Sequence, residues 1–167
     1  MRFLALPLFL LLTIAPALAQ VDVAVGDITF SMPAHWKGPA DSNESRLPYQ
    51  ASYTFSNDNT DSALYGARMI IHRIVGLDRI ERERFLRGQL ALGYNGLRPY
   101  AAVTQDEMMF PTARGYKTSG NERAGNIYFV QHGMTYYTIH LTASEDAFEN
   151  QLPALLDIAR SIRFLDG

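Results

Sequence analysis

Residues 124–142 read AGNIYFVQHGMTYYTIHLT, and this stretch decides the fold. His132-Gly133 is a turn signal between two runs of β-favouring residues, 124–132 and 134–142. Within them Tyr128, Phe129 and Val130 are apolar in succession, as are Tyr136, Tyr137 and, after Thr138, Ile139. Successive side chains on a strand point to opposite faces, so unbroken apolar runs imply a sheet covered on both sides. Met69, Ile70 and Ile71 repeat the pattern inside the longest strand candidate, Leu64 to Val75.

Further strands are expected at 101–110 and 113–119, with Gly120 to Gly125 as the turn leading into 124–132. Upstream, Ile28, Phe30 and Met32 alternate and stop at Pro33, and the only tryptophan, Trp36, follows. Residues 37–48 are polar, contain a glycine and two prolines, and read as a loop. Tyr49 to Phe55 reads as a strand and Ser56 to Ser62 as a polar turn.

Two helices supply the cover. Asp78 and Glu81 form a capping box that opens a helix running to about Tyr94, with Phe85, Leu86, Leu90 and Tyr94 as its apolar stripe. Asn95-Gly96 and Pro99 end it. The last helix has one continuous apolar face, Phe148, Leu152, Leu155, Ala159 and Ile162. Ser144 is placed to cap it, with Glu145 and Asp146 in the first turn. Pro153 would either kink that helix or open a second one after a short first piece, and the second arrangement is favoured. Two-sided strands with one-sided helices give an α+β class: an antiparallel sheet flanked by helices, an α/β/α sandwich.

The first nineteen residues address the protein. Arg2 is a short positive region, Phe3 to Ile14 an apolar core, and Ala17-Leu18-Ala19 a small-x-small cleavage signal, so cleavage is expected between Ala19 and Gln20. That run is too short to span a bilayer, which needs about 20 residues. Residues 20–167 then form a single domain, expected in the periplasm. The chain has no cysteine, so stability rests on the core alone. A thiol-linked lipid anchor, thiolate zinc sites and thiol catalysis are excluded with it. The net charge of −2 gives no footprint for nucleic acid. Thirteen arginines against two lysines reflect genome composition.

Motifs for catalysis are missing: the sequence has no G-x-S-x-G, no H-E-x-x-H and no Walker element. Lys117-Thr118-Ser119-Gly120 has no nucleophile partner and is a strand end. Of the histidines His35, His72, His132 and His140, the last three fall on strands that could be neighbours, yet no H-x-H or H-x-x-x-H spacing marks a metal site. They read as isolated histidines, and neither a metal nor a cofactor is expected. Three side chains are candidates for a partner contact. Trp36 would be an exposed aromatic anchor, though a tryptophan after such a strand more often enters the core. Arg79 and Arg82 would belong to a docking face, although the i,i+4 pairs Arg79–Glu83 and Glu83–Arg87 fit a solvated helix face better.

Ile28-Thr-Phe-Ser-Met-Pro33 with Trp36, then Gly115-Tyr116, Ile127-Tyr128-Phe129 and Tyr136-Tyr137-Thr-Ile139, then Phe148, Pro153, Ile158 and Ser161-Ile-Arg-Phe164, resemble the PsbP-like superfamily over nearly all of residues 26–165. That superfamily includes the extrinsic photosystem II protein, a Ran-binding nuclear import factor and exported bacterial relatives of the DcrB type. The resemblance implies an antiparallel sheet between helices and a mostly non-enzymatic role in binding or assembly. No residue set for binding a partner transfers with it. The expectation is a periplasmic, non-enzymatic factor that binds an envelope or periplasmic protein. Two alternatives stand beside it: an immunity protein against an exported toxin, and a module for a small molecule or lipid held between sheet and helix.

Overall fold

A computed structural model describes residues 20–41, 51–94 and 96–165. Residues 1–19, read as a leader from the sequence, lie outside the described residues, as do 42–48 of the expected loop, 49–50 of the strand expected after it, and Asn95.

Strands β1 (Gln20–Val25) and β2 (Ile28–Pro33) form a hairpin that β10 (Arg163–Phe164) joins on the other side of β2. The remaining strands are β3 (Lys37–Asp41), β4 (Ala51–Ser56), β5 (Arg68–Ile74), β6 (Arg98–Ala102), β7 (Arg114–Gly120), β8 (Arg123–His132) and β9 (Thr135–Ser144). They make one seven-stranded antiparallel sheet in the order β3-β4-β5-β9-β8-β7-β6. Helices α1 (Arg79–Leu92) and α2 (Phe148–Arg160) pack against it, an α+β architecture.

Alternation sorts the side chains of β8 and β9 onto two cores, as the unbroken apolar runs require. Tyr128, Val130, Tyr137, Ile139 and Leu141 face α2, where they meet Leu152, Leu155, Leu156 and Ala159. Ile28, Phe30 and Met32 of the small sheet close the same core. Ile127, Phe129 and Tyr136 face the other way and meet Leu86 of α1.

Helix α1 opens as expected: the Glu81 amide donates to Asp78 Oδ1 at 2.8 Å, and the Asp78 amide donates to Glu81 Oε2 at 2.9 Å. It stops at Gly93, whose φ of 72° only glycine adopts freely, one turn before the Asn95-Gly96 stop read from the sequence. A Cβ on Gly93 would lie 2.2 Å from the Leu97 carbonyl oxygen, so the close return of the chain needs glycine there.

Several elements differ from the sequence expectation. Lys37–Asp41 is a strand and not loop, and the strand expected at 101–110 is β6, Arg98–Ala102. Both are the outer strands of the large sheet and each contains a proline, Pro39 or Pro99. A proline cannot donate to a ladder, so it is tolerated at an edge, where it also discourages pairing with another chain. Local signals read such prolines as breaks. Residues 64–67 form turns and not the start of β5. Asn57, fully buried, directs that loop: its Nδ2 donates to Ser62 Oγ at 2.8 Å, and its backbone oxygen accepts from Gly66.

Helix α2 is single, with Pro153 inside it. Ser144 ends β9, and no side chain caps the helix at Ala147. Pro153 and Glu149 are both exposed, so the carbonyl that loses its donor faces water.

Leu155 is fully buried between α2 and the sheet. Leu155→Ala is expected to cost about 2–5 kcal/mol in urea unfolding. Leu92→Ala, on the outer side of α1 where Leu92 is 81% exposed, is expected to stay within about 0.5 kcal/mol.

Candidate functional site

The apolar stripe of α1, followed backwards from Leu90 through Leu86, arrives at Arg82, Glu83 and Arg79. These charged side chains therefore sit on the side of the helix that faces the sheet. Outward positions carry Ile80, 66% exposed, and Leu92. At its first turns α1 cannot close down on β8 and β9, and a groove of about 280 Å³ remains. Arg79, Arg82 and Glu83 form one wall, Phe129, Gln131 and Tyr136 the floor, and Thr112 and Arg114 the far side. Tyr136 is held by rings on both sides, Phe85 edge-on at 6.3 Å and Phe129 stacked at 6.3 Å. Burial pushes its phenol up to about 12, so it stays protonated.

The charges in the groove are not balanced internally. Glu83 is taken by Arg114 in a two-pronged contact, Nη2 to Oε1 at 3.0 Å and Nη1 to Oε2 at 3.2 Å. The hydrogen bonds from Arg114 hold Glu83 below the usual carboxylate range and raise Arg114 in turn. The pair across elements is the close contact, while Arg79 and Arg87, the helical partners read from the sequence, still favour the charged Glu83 at longer range, and Arg87 Nε donates to the Glu83 backbone oxygen. Among the described residues neither Arg79 nor Arg82 has an ion-pair partner. Arg79 is exposed and Arg82 half-buried, so this face is solvated, and both arginines also line the groove. Its chemistry suits a carboxylate-bearing guest: guanidinium forks above, an aromatic floor below.

The other candidates lie elsewhere. Trp36 is in the α2-side core at 7% exposure, so it presents no ring to a partner. Gln20 begins the exposed edge strand β1 opposite Pro33. Ala19, its neighbour at the cleavage position expected from the sequence, is outside the described residues.

The histidines separate into three environments. His132 stacks on Phe164 at 4.7 Å. His35 Nε2 lies 3.2 Å from Ser62 Oγ beside a groove of about 330 Å³. That contact resembles a nucleophile and base, but Ser62 Oγ already accepts from Asn57 Nδ2 and from the Leu64 amide at 3.1 Å. Its lone pairs are engaged in fixing the 57–67 turns. His72 and His140, buried on neighbouring strands, lie 6.0 Å apart with the Tyr94 ring 4.7 and 4.6 Å from them. Neither ring nitrogen of His140 has a hydrogen-bond partner among the described residues. Burial lowers His72 to about 4 and pushes His140 well below the histidine range. Among the described residues no three His, Asp or Glu side chains converge.

No family model and no curated protein matches the sequence. Solved structures do match the fold. The cyanobacterial PsbP (CyanoP) of Synechocystis superposes with a TM-score of 0.57 at 10% identity, covering 88% of this chain and 93% of that one. The Ran-binding protein Mog1p of Saccharomyces cerevisiae gives 0.56 at 12%, covering 90% and 97%. LpqN, involved in cell envelope biogenesis of Mycobacterium tuberculosis, gives 0.51 at 16%, covering 89% and 91%. The chain has the PsbP-like fold, in accord with the resemblance carried by its strand and helix motifs. At these identities the likeness concerns the fold alone.

The buried histidines set a pH dependence. Their folded pKa values lie below the unfolded value near 6.5, so the unfolded chain binds more protons as pH falls. The stability they support is complete above pH 6.5 and is lost as pH falls toward 4. Burial raises Asp27 and Glu107, but hydrogen bonds from Tyr137 and Arg73, and from Lys117, leave both below their usual values. Those carboxylates act only below about pH 4.5. Urea unfolding at pH 5 against pH 7.5 is therefore expected to show a loss of about 2 kcal/mol from His72 alone. His72→Leu/His140→Leu flattens that slope.

Proposed function

We propose that this chain is an exported, non-enzymatic binding factor that receives an acidic segment of another envelope protein in the groove between α1 and β8–β9. The observation that carries this is the diversion of Glu83 to Arg114, which leaves the Arg79 and Arg82 guanidinium groups on the groove wall without a carboxylate of their own. An acidic peptide would meet two forks over the apolar surface of Tyr136 and Phe129. Aromatic and arginine side chains around a pocket are the usual energetic centre of a protein contact.

The leader read at residues 1–19 supports export, with the mature chain starting at Gln20. Among the described residues no helix is long and apolar enough to cross a membrane. A structural neighbour described as Ran-binding and another described as involved in envelope biogenesis support a role in protein contact within the same fold.

Two measurements test this. A glutamate- and aspartate-rich dodecapeptide titrated into the protein by calorimetry is expected to bind with an affinity that falls with added salt. Arg79→Glu/Arg82→Glu, exposed or half-buried positions, should weaken it at least tenfold without changing the unfolding midpoint by more than a degree or two. Equal binding by wild type and the charge-reversed variant removes the groove from consideration. Intact mass of protein recovered from the periplasmic fraction is expected to correspond to residues 20–167, and a full-length cytoplasmic product would overturn the exported location.

A further inference from the structure

The opposite end of the α1-side face carries a second unbalanced cluster of cations. Arg68 on β5 stands directly opposite Thr142 on β9, and Thr142 stands opposite Gly125 on β8. Arg123 is two residues from Gly125 along β8, so Arg68, Thr142 and Arg123 share one face of three adjacent strands. Arg123 is half-buried. Its Nη2 donates to the Gly66 carbonyl oxygen and to Thr142 Oγ1, each at 3.0 Å, and both acceptors are neutral. Gly66 turns that carbonyl inward from a φ of 75°, which its missing Cβ permits. Among the described residues the Nε and Nη1 groups of Arg123 have no partner, and Arg68, exposed, has no ion pair.

Among the described residues, two arginines of this chain are paired with acids. Arg73 donates to both oxygens of Asp27 at 3.0 Å, and Arg114 holds Glu83. At Arg123 burial disfavours the charge, the neighbouring Arg68 disfavours it further, and no carboxylate offsets either effect. Two guanidinium groups on one face, close enough to disfavour each other's charge and without an acid, carry an electrostatic cost that a bound anion relieves.

We propose that Arg68, Arg123 and Thr142 form a second binding site, for a small oxyanion of the phosphate class. A carboxylate is satisfied by one guanidinium fork, whereas a tetrahedral dianion has oxygens and charge for two. Thr142, buried beneath Arg123, accepts from its Nη2 and so fixes where that guanidinium is held. This site does not rest on the groove at α1, which lies at the other end of the helix-covered face.

Inorganic phosphate titrated into the wild-type protein, with sodium chloride adjusted to constant ionic strength, is the test. Calorimetry is expected to show saturable binding near one phosphate per chain, and the unfolding midpoint should rise with occupancy. Arg68→Gln, at an exposed position that leaves the fold intact, should weaken binding at least tenfold. Arg123→Lys should weaken it similarly by losing the fork, while Arg79→Gln/Arg82→Gln should bind as wild type. Flotation with phosphatidylglycerol vesicles against phosphatidylcholine vesicles separates two sources of the anion. Recruitment to the former that phosphate competes away, and that Arg68→Gln abolishes, assigns a lipid headgroup. Phosphate binding without recruitment assigns a soluble oxyanion. Neither binding nor recruitment, or an Arg68→Gln variant that binds as wild type, overturns the proposal.

Discussion

The structure depends on burying β8 and β9 on both faces. Tyr128, Phe129 and Val130, and Tyr136 to Ala143, are all buried. A strand of that kind cannot sit at an edge or against solvent, so it forces two covering layers and central positions in the sheet. The order β5-β9-β8-β7 satisfies this by flanking both strands with β5 and β7. The outer positions fall to β3 and β6, the strands whose prolines fit an edge. Helix α2 and the small sheet cover one face with an almost wholly apolar layer, which is where a fold without disulfides gains its stability.

The other face is covered unequally, and its polar character follows from that. Helix α1 contributes Leu86 as its one fully buried apolar residue, with Phe85 and Leu90 partly buried beside it. Beyond them the face holds His72, Thr138, His140 and Thr142, buried but polar, with arginines at both ends. A helix that carries charge on its inward side at one end cannot seal the sheet there. The groove, the acid-sensitive histidine pair and the half-buried Arg123 are three results of the same incomplete apolar cover.

Most of the fold was legible because it is written in short-range periodicity. The hairpin at 124–142, the capping box at Asp78 and the stripe of α2 are local patterns, and each formed where the pattern lay. The misread segments share a cause. Lys37–Asp41 and Arg98–Ala102 become strands through pairing with β4 and β7, and their prolines conceal that from a local reading. Pro153 remains inside one helix because tertiary packing of Leu152, Leu155 and Leu156 holds both halves to the same sheet. The site was less legible. Arg79 and Arg82 were visible as charges, and the stripe from Leu90 and Leu86 already indicated their inward side. Arg114, 31 residues from Glu83, carries no local mark of its role.

The sequence alone determined the exclusions and the layers: no thiol chemistry, two-sided strands, one-sided helices, and an N-terminal segment with the features of an export leader. Those depend on composition and on spacings of two to four residues, which the chain states directly. Only the tertiary structure decided which charges are paired. Glu83 had four arginines within four residues along α1, Arg79, Arg82, Arg84 and Arg87, and was taken by a fifth from β7, because a two-pronged contact across elements fixes both planar groups better than a flexible pair along one helix. That choice, and the equally non-local placement of Arg123 beside Arg68, turned ordinary surface arginines into two places where an anion can be held.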